Sequence, residues 1–311
     1  MQPRIKGVRL AVLGGDARGV YTALELAACG ASVQAFGLPL PSTVNSIRLC
    51  SKTADAVAGV DAIVIPLPGV DESGFLHTVT GERPLLTEDD LRAAPPLSPL
   101  FVGFARRPLK RIAANTGLSL VELVDLDDFA ILNSIPSAEG AIQLAMERLP
   151  ITIHGSQAFV LGFGRTGATL ARMLAAIGAH TTVVARNPAA RARCLEMGFR
   201  TLSFESLPQY IGEADVIFNT VPAMVLPQNL LRLVKPDALI IDLASAPGGV
   251  DFEAAHRLGI EAFLAPSLPG KVAPKTAGQI FARTVVRLLE ENLTLGSAKS
   301  QGVSTDAAKR R

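Results

Sequence analysis

The feature that most constrains the fold is a six-residue turn, Gly162-Phe163-Gly164-Arg165-Thr166-Gly167. An apolar run over 157–161 leads into it, and a helical pattern over 168–177 leads out. In such a turn Gly162 makes the tight bend, Gly164 lets a pyrophosphate approach the backbone, and Gly167 allows the helix to pack closely on the strand. Exposed N–H groups and the helix dipole then favour phosphate. A lone glycine pattern of this kind is common, but its position between a strand and a helix marks a βαβ unit and a dinucleotide site.

The strand signal occurs in two series. The first comprises residues 8–13, 31–36, 62–67, 100–104 and 118–124, each a short apolar run bounded by Gly, Pro or Asp. The second comprises 157–161, 181–185, 216–219, 239–243 and 262–265. Helical stretches fall between several of them, one opening at Thr87-Glu88-Asp89-Asp90 with an N-cap and acids in its first turn. Alternating strands and helices predict an α/β chain of two doubly wound, Rossmann-like parallel sheets enclosing a cleft. Residues 1–135 are read as a substrate domain and 136–292 as the dinucleotide domain. A linking helix opens at Ser137 and stops at Pro150, and a last amphipathic helix over 276–290 is free to pack back on the first domain. Residues 293–311, rich in Ser, Ala, Lys and Arg, are read as a disordered tail.

Composition removes several alternatives. Hydrophobic residues make up 49% of the 311 and charged residues 19%, a globular balance. No apolar run approaches the ~18 residues of a spanning helix, and the N-terminus lacks the pattern of a signal peptide. A net charge of +2, no Trp and two Tyr argue against nucleic acid. Cys29, Cys50 and Cys194 and four isolated histidines show neither a disulfide frame nor metal-ligand spacing. A cytoplasmic protein without a metal is expected.

The strand after the glycine turn bears on cofactor choice. An NAD site usually carries an acid at its end; here the sequence reads Ala185-Arg186-Asn187, with Arg191 and Arg193 beyond. A guanidinium suits a 2′-phosphate, which favours NADP, whereas a solvated arginine cluster is the plainer explanation. In the first domain the corresponding turn is Gly14-Gly15-Asp16-Ala17-Arg18-Gly19, with Asp16 where the second fingerprint glycine would stand. A carboxylate there obstructs pyrophosphate. Asp16 and Arg18 then either face the cleft as ligands of a substrate or simply cap and decorate a helix.

Loops at later strand ends supply further candidates. Asn219-Thr220-Val221-Pro222 would pass the nicotinamide side, and Leu243-Ala244 lie on the next strand end, before Pro247-Gly248-Gly249. Lys271 and Lys275 follow the last strand. Ser134, Pro136, Ser137 and Glu139 lie at the domain junction, where a helix N-terminus would hold a carboxylate. His154 enters the second domain and is either a structural hydrogen-bonding group or an acid–base residue.

Taken in order, these stretches resemble the family of dipicolinate synthase A subunits across roughly residues 7–292. The resemblance rests on Gly14 to Arg18, Asn133-Ser134-Ile135-Pro136 with Glu139-Gly140, and Ile153-His154-Gly155-Ser156. It continues through the Gly162 turn, Asn219-Thr220 with Pro222, Asp242 to Ser245 with Pro247-Gly248-Gly249, and Leu268-Pro269-Gly270 with Ala273 to Gln279. Residues 37–115 match only loosely. The resemblance implies NADP-dependent oxidation of a dihydrodipicolinate-type product of the lysine pathway to dipicolinate, in the mother cell of a sporulating bacterium. It also implies the flavoprotein-like B subunit of dipicolinate synthase as partner, a dicarboxylate substrate and an oligomer. Arg18, Lys271 and the Ser137 region are candidates for the carboxylates, and Asp16, His154 and Lys271 for catalysis. Shikimate-type or methylene-tetrahydrofolate-type NADP dehydrogenases, or a non-catalytic NADPH-binding protein, are the alternatives.

Overall fold

The structure, a computed structural model, describes residues 4–41 and 43–306. It divides into two compact units, one formed by residues 1–129 and 274–311, the other by 130–273. The first contains β1 (Arg9–Leu13), α1 (Ala17–Ala28), β2 (Ser32–Phe36), β3 (Ile47–Cys50), α2 (Thr53–Val57) and β4 (Ala62–Ile65). It continues with α3 (Glu88–Leu91), β5 (Pro99–Val102), α4 (Arg107–Thr116) and β6 (Ser119–Glu122). Helix α5 (Asp127–Arg148) leads into the second unit. There β7 (Gln157–Leu161), α6 (Arg165–Ala176), β8 (His180–Val184), α7 (Pro188–Glu196) and β9 (Arg200–Leu202) form one half. The other half is β10 (Val216–Asn219), α8 (Gln228–Leu231), β11 (Leu239–Asp242), α9 (Phe252–Arg257), β12 (Glu261–Leu264) and α10 (Leu268–Val272). Helix α11 (Pro274–Asp306) ends the described chain.

Each unit holds one parallel six-stranded sheet, in the orders β3-β2-β1-β4-β5-β6 and β12-β11-β10-β7-β8-β9. Both are the doubly wound order in which chain direction reverses beside the first strand, so ligand space opens at the carboxyl ends of β1/β4 and β7/β10. Alternation along each central strand feeds two cores. In β7, Ala158 and Val160 face one apolar cluster while Phe159 and Leu161 face the other. In β1, Leu10 and Val12 divide from Ala11 and Leu13 in the same way.

Three expectations are corrected here. The linking helix does not open at Ser137: α5 begins ten residues earlier, with Asp127 and Asp128 in its first turn, and runs through Pro136. Proline 136 reads as a boundary because it lacks an N–H, yet a long helix with acids at its start tolerates the loss of one rung. Strands β3 and β9 were not anticipated; both are short edge strands with half-exposed polar residues. The tail is helical as far as Asp306, a continuation of α11 in which elongation is cheap once the helix is nucleated. Residues 307–311 lie outside the described part.

Helix α11 packs on α1 in the first unit. Glu25 accepts from Gln279 Nε2 at 3.0 Å and Arg283 Nε at 2.9 Å, and Thr22 Oγ1 donates to the Gly278 carbonyl at 3.2 Å. Phe281 meets Phe129 edge to face, with centroids 5.8 Å apart. A Cβ on Gly278 would lie 2.5 Å from the Arg18 carbonyl and 2.8 Å from Tyr21 Cβ. The Gly278→Ala substitution should therefore force the helices apart and destabilise by about 1–3 kcal/mol, read as a lower melting temperature in calorimetry.

Candidate functional site

The glycine turn of the second unit has the geometry its sequence demands. Gly162 adopts φ +98°, and a Cβ there would lie 2.5 Å from Thr220 Oγ1. A Cβ on Gly167 would press into the Gly162 carbonyl, so α6 can approach β7 this closely only without one. Around Gly164 no atom stands within 4 Å of that position. Among the described residues no acceptor is paired with the N–H of Phe163, Gly164 or Thr166. These donors at the start of a 12-residue helix point to an anion, and the open space at Gly164 admits one.

A cavity of ≈ 690 Å³ extends from this turn. It brings together Gly162, Phe163 and Gly164, the β8 end Ala185, Arg186 and Asn187, and the β10 loop Thr220, Val221 and Pro222. Nine residues expected from the sequence thus share one wall. Phe204, Glu205, Pro208 and Ala223 to Val225 complete it and were not anticipated, since they lie in loops with no motif. Asn187 caps α7 by accepting from the Ala189 N–H at 2.8 Å. Arg191 stands behind this wall: its Nη1 donates to the carbonyls of Ala185 and Arg186 at 2.9 and 2.8 Å. It shapes the turn that presents Arg186. The hydrogen bond from the Ser203 side chain holds the Glu205 carboxyl below the usual carboxylate range.

A smaller cavity of ≈ 220 Å³ in the same unit is lined by Ser137, Thr166, Ser245 and Ser267, with Leu243 and Ala244 beside them. Ser137 reaches it from inside α5, where its hydroxyl donates to the Asn133 carbonyl at 2.9 Å. There is no helix N-terminus at this point, so the expected anion site on orphan N–H groups is absent. Ser134 is buried between the Ile131 carbonyl and Thr169 Oγ1, each at 2.6 Å, Pro136 is buried, and Glu139 is exposed. Arg165 is the first residue of α6, and Lys271 is exposed in the last turn of α10.

The first unit's turn is closed by the chain itself. The N–H of Gly15 donates to the His77 carbonyl at 2.7 Å and that of Asp16 to the Leu67 carbonyl at 3.2 Å. Asp16 caps α1, accepting from the Arg18 N–H at 2.9 Å, and its carboxylate also takes Arg18 Nε at 2.9 Å and Nη2 at 2.7 Å. The Arg18 residue is only 5% exposed. Donors that would bind phosphate are occupied, and the two residues expected to bind substrate or act as a base are paired with each other. His154 is also displaced from the site. It precedes β7, with Nδ1 3.3 Å from the Ile177 carbonyl, and so lies a strand length, roughly 17 Å, from the glycine turn. Asn219, expected at the cofactor, is fully buried.

Open donors at a β–α turn, a cavity beside them and a doubly wound sheet define a dinucleotide-binding dehydrogenase domain. The residues present fit a pyridine nucleotide, because Gly164 leaves the cradle that a Cβ would fill. Residues 137–254 match the D-isomer specific 2-hydroxyacid dehydrogenase NAD binding domain, and residues 9–124 match the N-terminal domain of the dipicolinate synthase A subunit. The A subunit of dipicolinate synthase from Bacillus subtilis (strain 168) is 41% identical over 92% of this chain and 97% of its own. The crystal structure of the A chain of dipicolinate synthase from Bacillus subtilis superposes with a TM-score of 0.85, covering 92% of this chain and 97% of that one. That of the A subunit from Bacillus halodurans gives 0.86 at 37% identity, covering 91% and 98%. The chain belongs to the family of dipicolinate synthase A subunits.

The space around Gly164 generates a clean test. Gly164 has φ −88°, open to any residue, so Gly164→Ala should melt close to the wild type. The methyl would occupy the pyrophosphate approach and raise the Kd for the reduced pyridine nucleotide by about tenfold or more, about 1.4 kcal/mol, measured by titration of nicotinamide fluorescence.

Proposed function

We propose that the protein is the NADP-dependent component of an enzyme that oxidises a dihydrodipicolinate-type ring to dipicolinate, during spore formation in the mother-cell cytoplasm. The observation that carries the dehydrogenase half is the set of open N–H groups at Gly164 beside the ≈ 690 Å³ cavity. The substrate half rests on family membership. The family name speaks of one subunit among others, and a flavoprotein-like B subunit in a joint oligomer is the partner proposed.

In this reading the Gly162 to Gly167 turn holds the pyrophosphate, Ala185 to Asn187 the adenosine ribose, and Thr220 to Pro222 with Leu243 and Ala244 the nicotinamide half. When bound, the nicotinamide supplies two-electron redox chemistry, and aromatisation of the ring drives the oxidation. The chain's own residues bind and orient. Lys271, exposed on α10 with no acceptor among the described residues, is proposed to meet a substrate carboxylate. The hydroxyls of Ser137, Thr166, Ser245 and Ser267 offer further hydrogen bonds. Asp16, Arg18 and His154 are withdrawn from these roles, because their functional atoms are paired or far from the turn.

NADP is favoured by Arg186, whose guanidinium has no partner among the described residues, where Arg191 and Arg193 are engaged elsewhere. NAD is the second reading. It is favoured by Glu205 in the same cavity wall, since a carboxylate accepts from a ribose hydroxyl and repels a phosphate. The ratio of the two affinities separates them. Arg186→Ala should weaken NADP+ by about tenfold or more, the loss of one charge-assisted hydrogen bond, and leave NAD+ within about twofold. A wild type that binds both equally refutes the 2′-phosphate assignment.

The activity itself is tested with the purified chain and its partner together. Given dihydrodipicolinate and NADP+, the pair should form a product with the ultraviolet absorption of a pyridine dicarboxylate, at a rate that follows NADPH appearance. Folded protein that forms no such product with either nucleotide refutes the substrate assignment.

A further inference from the structure

At the carboxyl ends of β10 and β11, Asn219 and Asp242 are both fully buried and are register partners across the strand pair. Asp242 Oδ1 accepts from Asn219 Nδ2 and from the Ala244 N–H, each at 2.9 Å, and Oδ2 accepts from the Gly249 N–H at 2.7 Å. Asn219 in turn donates to the Val221 carbonyl and accepts from the Val221 N–H, both at 3.0 Å. The Gly249 carbonyl accepts from the N–H groups of Val225 and Leu226 at 2.9 Å. One carboxylate therefore stitches the loop after β11 to the loop after β10.

Packing leaves this arrangement no slack. A Cβ on Gly248 would lie 2.5 Å from Asp242 Oδ2, and one on Gly249 would lie 2.6 Å from Asn219 Nδ2. The donors are uncharged N–H groups, and no cation of the described residues pairs with Asp242. Burying a carboxylate away from water is costly, and a pair of aliphatic side chains would hold two strands together without that cost. What an aliphatic pair cannot do is fix loop backbone at several N–H groups at once. The loops so fixed are the ones that line the site: Thr220 to Val225 in the large cavity, and Leu243 to Ala246 in the small one. Both lie on the β10–β11 side of the glycine turn, opposite the β8 end that carries Arg186.

We propose that Asp242, through Asn219, is a positioning residue for the nicotinamide half of the dinucleotide: it holds the β10 and β11 loops in the shape that receives the ring. This rests on the pyridine-nucleotide reading above and adds to it a residue that would touch neither cofactor nor substrate. Asp242→Asn places an amide NH2 where a carboxylate oxygen now accepts, facing an N–H donor, so one loop anchor is lost.

The test separates positioning from general stability by using half of the ligand. NADPH and NADH are titrated by nicotinamide fluorescence, undisturbed by Trp because the chain has none, and the matching nicotinamide-free half, ADP-ribose or its 2′-phosphate, by calorimetry. In Asp242→Asn the Kd for the reduced dinucleotide that the wild type binds more tightly should rise by about tenfold or more, and that for its nicotinamide-free half should stay within about twofold. Asn219→Ala, which keeps the two loop N–H bonds of Asp242 and removes its bond to Asn219 together with both bonds to Val221, should show the same split. Equal weakening of both ligands, no change in either, or failure of both variants to fold would overturn the proposal and leave the pair a structural feature. A wild type that binds neither NADPH nor NADH would instead refute the functional reading on which it stands.

Discussion

In both units the central strands are buried on both faces, so their backbone groups are satisfied along the ladder and only the strand ends have donors left to offer. The loop residues proposed for the dinucleotide obey that constraint. The Gly162 turn follows β7, Arg186 follows β8, Thr220 follows β10 and Ala244 follows β11. Parallel pairing requires helical crossovers, and these cover both faces, so unpaired backbone donors collect at the carboxyl ends of the strands. His154 illustrates the converse. It stands at the amino end of β7, where the same physics provides a turn and a hydrogen bond to the Ile177 carbonyl but no opening onto the cavity.

The two units carry the same topology and reach opposite outcomes at the same place. After β7 the N–H groups of Phe163, Gly164 and Thr166 have no acceptor among the described residues, whereas after β1 those of Gly15, Asp16 and Arg18 are all taken by the chain. The difference comes from one added carboxylate and one loop. Asp16 caps α1 from within the turn and fixes Arg18 against itself, and the segment bearing Leu67 and His77 folds over the remaining donors. A phosphate would have to displace internal hydrogen bonds that are already well made, with no net gain. The first unit is a Rossmann-like sheet relieved of dinucleotide binding.

How much of this could be read beforehand follows from what each feature depends on. The strands at the centre of each sheet are continuous apolar runs, and the turn at Gly162 is dictated by steric contacts between residues five apart, so both are visible locally. Edge strands β3 and β9 are not, because Ile47-Arg48-Leu49-Cys50 and Arg200-Thr201-Leu202 are short, half-exposed and defined by a neighbour rather than by their own pattern. The start of helix α5 is not legible either: Ser137 reads as a cap, yet the 22-residue helix runs through it from Asp127. At the cavity wall, residues next to glycine or proline turns are legible, whereas Phe204 and Glu205 are not, because their loop joins the wall only through the fold. Asp242 was visible as part of a motif, but its three bonds to β10 and β11 loops are tertiary. The loop after β10 is legible around Asn219, but the engagement of its amide inside the wall is not.

The charges around the adenosine end show how specificity can be divided among residues that look alike in sequence. Arg186, Arg191 and Arg193 fall within eight positions, yet Arg193 pairs with Glu196 on α7 and Arg191 binds two backbone carbonyls. Arg191 thereby works on the turn rather than on a ligand, and only Arg186 brings its charge to the cavity wall. Opposite in sign, Glu205 has its carboxyl held below the usual carboxylate range by the hydrogen bond from Ser203, to which the charge of Arg191 adds. A phosphate entering here meets one attractive and one repulsive charge, both near water and therefore screened within about 8 Å at physiological salt. Net preference is then set by which group makes direct hydrogen bonds, because a contact survives screening and a field does not. An arginine can grip a phosphate with two parallel N–H groups, the stronger of the two contacts, and the proposed use of NADP rests on that contact.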